Sequence, residues 1–69
     1  MGADPDDGTI LDPVEDEARY SIAMAKGVIA ERYDVSIEAA GDVLAQRARA
    51  AGLPLVEAAR WLLTAGTLP

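Results

Sequence analysis

Apolar residues along this chain recur every three or four positions, the period of an α-helix seen from one side. Val14, Ala18, Ile22, Ala25, Ile29 and Tyr33 fall within about 100° of arc at 100° per residue, the width of a core-facing stripe. They predict a first helix over Pro13–Tyr33, about 30 Å long at 1.5 Å per residue. A second apolar line on the same helix, Tyr20, Met24 and Val28, lies on a different face. A small bundle buries one face of each helix. The second line is therefore either a partner surface or a few scattered exposed apolar groups. The pattern resumes in a second helix over Ile37–Ala51, whose inner stripe is Ala40, Val43, Leu44, Arg47 through its stem, Ala48 and Ala51. Leu55, Ala58, Ala59, Leu62 and Leu63 form the inner face of a third helix over residues 54–65. No stretch alternates apolar and polar residues with β-branched enrichment, and no segment repeats another. The fold class is all-α, a three-helix bundle with a long first helix.

Local chemistry marks the helix ends. Asp12 suits an N-cap, with Pro13 at the first helical position and Glu15 three residues after the cap. Glu15, Asp16 and Glu17 suit the positive end of the helix dipole. Asp34 and Val35 make a short turn, and Ser36 caps the second helix. Gly52 ends that helix in the left-handed conformation that glycine adopts cheaply. Pro54 then opens the third helix as its first residue, and Gly66 follows its end. Residues 1–11 hold turn formers and charge but little to bury, and read as a disordered acidic leader to a domain spanning residues 12–69.

Composition narrows the chemistry. Sixty-nine residues make one small domain, whose core seldom holds more than about 3–5 kcal/mol in reserve. Fourteen alanines favour helices and permit close interhelical approach. The absence of cysteine and histidine removes disulfides, thiolate chemistry, a zinc finger and the commonest general base. The apolar runs are too short to span a bilayer, and the acidic N-terminus is no signal peptide, so a cytoplasmic location is expected. Carboxylate pairs such as Asp34 with Glu38 imply no cleft, and Gly27, Gly41 and Gly52 stand singly rather than in a phosphate loop. The expectation is a protein that is not an enzyme and needs no cofactor or metal.

The net charge of −6 is unevenly placed. Residues 1–17 hold seven acids and no base, whereas residues 18–69 hold five acids against six bases. The acidity belongs to the leader, and a near-neutral body is compatible with a nucleic-acid partner without arguing for one. The six bases are Arg19, Lys26, Arg32, Arg47, Arg49 and Arg60. Arg47 and Arg49 lie near the turn into the third helix, and guanidinium groups suit phosphate oxygens and the planes of splayed loop bases. Each base also has an ordinary reading: a solvated helix residue, a stem covering apolar surface, or, for Lys26, a pair with an acid one turn away. Gly27 and Gly41 each cost a helix roughly 1 kcal/mol against alanine, and Gly27 is expected to mark a close approach between helices. Trp61 either edges the core or stacks on a base.

The string Ala25-Lys26-Gly27-Val28-Ile29, followed by Glu31-Arg32-Tyr33, resembles the ANTAR domain. Downstream spacing agrees, with Ser36, Ala40, Val43-Leu44, Ala48, Leu55 and Ala59, so that the likeness covers about residues 22–63. The resemblance implies a three-helix RNA-binding module of bacterial transcription antitermination regulators. Such a module reads paired RNA hairpin loops as a dimer and prevents a terminator from forming. The chain departs from the family pattern at Gly41, where an aromatic is common, at Ala45, often a base, and at Leu53 and Pro54, in a turn that favours bases.

With RNA as the partner, contact is expected through Lys26, Arg32, Arg47 and Arg49, most readily Lys26 and Arg49 by their position on polar faces. The second apolar line of Tyr20, Met24 and Val28 is expected to form a weak homodimer, to which the resemblance also points. The resemblance further implies a sensor or receiver domain, separate or missing here, so the chain is expected to be an excised fragment or a stand-alone small protein. The runner-up is a degenerate ANTAR fold that mediates protein interaction or dimerisation without RNA. Helix-turn-helix DNA binding ranks lower, because the third helix offers only Arg60 as a base for a groove.

Overall fold

The computed structural model describes the backbone of residues 13–69 and the side chains of residues 16–69. The expected cap at Asp12, the leader and the side chains of Val14 and Glu15 lie outside the described residues. Three helices follow one another: α1 over Pro13–Tyr33, α2 over Ile37–Ala51 and α3 over Leu55–Ala65. Each packs against the other two, with α1 as the long spine that α2 and α3 share. Among the described residues there is no strand.

The connections follow from their residues. Asp34 ends α1 in the left-handed region at φ 57°, and the Val35 amide reaches back to the Ala30 carbonyl at 3.0 Å. Ser36 caps α2, its hydroxyl accepting from the Ala39 amide at 3.0 Å. Gly52 takes φ 71° and donates to the Ala48 and Arg49 carbonyls, and Gly66 closes α3 in the same way onto Leu62. The third helix starts one residue later than its proline suggests. Pro54 has ψ 152° and stands as the N-cap, its carbonyl accepting from the Glu57 and Ala58 amides at 3.0 and 3.1 Å. The proline ring leaves ψ free to stay extended, so a fixed φ alone does not place the residue inside the helix.

The core is small. Among the described residues, Ala25, Ile29, Ala40, Leu44, Ala48, Ala58, Ala59 and Leu62 are buried. Five of these eight are alanines, so the helices touch nearly backbone to backbone at several points. Ile29 and Leu44 are the large side chains that seal the centre. Ile22, Val28, Ala30, Val43 and Leu68 pack around this cluster. The predicted inner faces overreach at their ends. Tyr33 is 54% exposed because α1 runs past its cover, and Ala51, Leu55 and Leu63 sit on the rim. Gly27 makes no close approach, since a Cβ there would meet nothing within 4 Å.

Candidate functional site

The four bases expected at the RNA surface divide into two pairs. Arg32, in the last turn of α1, donates from Nη1 to the Gly66 carbonyl at 2.7 Å. Arg47 of α2 donates from Nη1 to the Pro69 carbonyl at 3.2 Å. With Leu68 packed on the core between these points, the two arginines fasten residues 66–69 across the bundle. They give hydrogen-bond donors to the carbonyls of Gly66 and Pro69, which lie beyond the last residue of α3. Each guanidinium keeps other N–H groups, but its position is set by the fold.

Lys26 and Arg49 are placed differently. Among the described residues neither makes a hydrogen bond or ion pair. Arg49 is exposed near the end of α2, on the side turned away from Ala40, Leu44 and Ala48. Lys26 is half-buried and leans across to α2, where a Cβ at Gly41 would sit 3.2 Å from its Cε and 3.6 Å from its Nζ. Glycine at position 41 is what leaves that path open. The other two bases are held locally: Arg60 donates to Glu57 at 3.4 Å, and Arg19 pairs loosely with Asp16 at 3.8 Å.

Of the three apolar residues on the second face of α1, Tyr20 is 67% exposed and Met24 45%. Val28 instead packs against the core and offers a partner only an edge. Trp61 is about half exposed on α3, beside Arg60, Thr64 and Ala65. It neither fills the core nor stands free of the surface.

Pattern reading passed over a groove between α1 and the start of α2, lined by Arg19, Ile22, Ala23, Lys26 and Ile37. A signal for half of it was present. Arg19 and Lys26 are seven residues apart and so lie within about 20° on one helix. The other wall, Ile37, is brought there only by the fold. Among the described residues no three histidine, cysteine or carboxylate side chains gather as metal ligands, and no helix is long and apolar enough to cross a membrane.

The family model for the ANTAR domain matches residues 15–63, which takes in most of α1, all of α2 and most of α3. No curated protein and no solved structure matches the chain. The match extends over most of the chain and coincides with the bundle that carries Lys26, Arg49 and the α1–α2 groove. The chain belongs to the ANTAR domain family.

Proposed function

We propose that this chain binds RNA hairpin loops as a homodimer and thereby keeps a terminator from forming in a bacterial transcript. The family is one of RNA-binding antitermination modules. The observation that carries the reading to this chain is the state of Lys26 and Arg49, two cations in the matched region with no described partner. Phosphate is the partner their chemistry suits: a compact ammonium for one oxygen, and a planar fork for two. In this reading Arg32 and Arg47 contribute charge to the approach of RNA, while their hydrogen bonds hold the bundle. The domain runs over residues 12–69 and acts in the cytoplasm. A sensor or receiver domain would supply the signal.

The exposed Tyr20 and Met24 on α1 support the dimer, since a symmetric pair uses one patch twice and leaves no open end. The same two residues favour a second reading, a protein-interaction module that has left RNA behind. Titration of the chain with hairpin RNA and with duplex DNA, at two salt concentrations, separates the two. Hairpin preference is expected, with a salt slope that falls in the Lys26→Met/Arg49→Gln double variant. Equal, weak binding to both nucleic acids would refute the RNA reading and leave the interaction module.

A further inference from the structure

We infer that the groove between α1 and the start of α2 is a seat for one unpaired nucleotide. Its base would lie between Ile22 and Ile37 and its phosphate would lie along the Arg19–Lys26 row. The inference rests on the RNA reading above and names the part of the RNA that enters the protein.

The groove has a volume of about 600 Å³ and is lined by Arg19, Ile22, Ala23, Lys26 and Ile37. That volume falls within the range of roughly 300–1,000 Å³ typical of small-molecule sites. Ile37 is 52% exposed although it is a large β-branched residue at the first position of α2. In this fold Ile37 stands across from the half-buried Ile22 and completes an apolar slot. Ile22 comes three residues after Arg19 and four before Lys26, so cation, apolar wall and cation follow one another along one side of α1.

Charge complementarity selects the occupant. An apolar slot flanked by Lys26, which has no described partner, and by Arg19, which also pairs loosely with Asp16, suits a ligand with a weakly polar body and a single anionic edge. An unpaired nucleotide has this build, and splayed loop bases are the part of RNA that proteins hold by their faces. A paired duplex hides its base faces and offers the groove only phosphate. Gly41 matters to the same site. The missing Cβ lets the Lys26 stem lie against α2, which keeps the lysine on the wall of the slot.

The test uses the full chain and a fluorescein-labelled RNA hairpin with an unpaired loop, beside a fully paired RNA duplex. Helix content is checked by circular dichroism for each variant. Ile37 is exposed, so Ile37→Glu should fold, and it should weaken hairpin binding by about tenfold or more while changing duplex binding less. Lys26→Met keeps the stem beside Gly41 and removes one charge, and should lower the salt slope for the hairpin by about 0.7. Hairpin binding untouched by both substitutions would overturn the groove and leave the RNA reading standing. Absence of hairpin binding in the parent chain would overturn both. Equal losses for hairpin and duplex in Ile37→Glu would also overturn the groove, because only the added charge would then be acting.

Discussion

Truncating either large core residue should cost this domain most of its stability. Ile29 is 1% exposed and Leu44 is fully buried, and they are the largest side chains enclosed in a core otherwise built mainly from alanine. Ile29→Ala and Leu44→Ala each remove three carbons. Five of the buried neighbours, Ala25, Ala40, Ala48, Ala58 and Ala59, have no length to extend into the gap, which leaves Leu62 and the partly buried Ile22, Val28, Val43 and Leu68 to relax around it. The cost should therefore lie within the usual 2–5 kcal/mol for such truncations and away from its low end. A domain of this size seldom holds more than about 3–5 kcal/mol, so each variant should be largely unfolded or close to it at 25 °C. Thermal and urea unfolding followed by circular dichroism measure this directly. At about 4–8 °C per kcal/mol, even the smallest expected loss lowers Tm by about 8 °C or more. Leu63→Ala, on the rim, is the control and should cost under about 1 kcal/mol. A Leu44→Ala variant that melts within about 4 °C of the parent would refute the claim that two side chains hold this core.

Gly27→Ala should stabilise α1 by about 0.5–1 kcal/mol, since a Cβ there meets nothing, and a melt at low protein concentration reads it; no gain would mean that position 27 is contacted in solution. Arg32→Met should lower stability by about 0.5–1.5 kcal/mol through loss of the bond to Gly66, yet weaken hairpin RNA less than Arg49→Gln does in parallel titrations. Met24→Glu should place like charges across the proposed helix-to-helix contact and shift sedimentation toward the monomer without loss of helix content; an unchanged dimer would move the interface elsewhere.

The helix order and nearly every boundary were legible because they are set by local chemistry. Ser36, Gly52 and Gly66 each act within a few residues of themselves, and the structure uses all three as the sequence suggests. Burial was legible in the middle of each helix and not at its ends. Periodicity reports which way a residue points but not whether a neighbour is long enough to cover it, and Tyr33 and Leu55 point inward past the edge of their cover. The arginine latches were not legible at all. Arg32 meets a carbonyl 34 residues away and Arg47 one 22 residues away, and a backbone carbonyl carries no mark in the sequence. Gly27 shows the limit of reasoning from propensity. A helical glycine has a known cost, but the cost does not say what it obtains in return, and here the bundle itself offers no contact that would require it.

Gly41 is the counter-example, and it bears on how a family position changes its work. The ANTAR pattern commonly has an aromatic at this place. A side chain of that size would begin with a Cβ 3.2 Å from the Lys26 Cε, so it would displace the lysine from its path along α2. With glycine there, the lysine of the Ala25-Lys26-Gly27 string leans over the second helix instead of reaching straight into solvent. Neutral residues at Ala45, Leu53 and Pro54 remove bases from the far end of α2, leaving Arg49 as the cation there without a described partner. Arg32 and Arg47 are committed to the carbonyls of residues 66 and 69. The other cation without a described partner is Lys26, which stands in the α1–α2 groove with Ile22, Ile37 and the Asp16-paired Arg19. Two cations beside an apolar slot favour a ligand that offers base as well as phosphate, whereas a row of exposed bases would favour phosphate alone. On the groove proposal, the neutral residues at Ala45, Leu53 and Pro54 and the glycine at position 41 act in the same direction, since both leave Lys26 beside the α1–α2 groove as the cation that phosphate would meet.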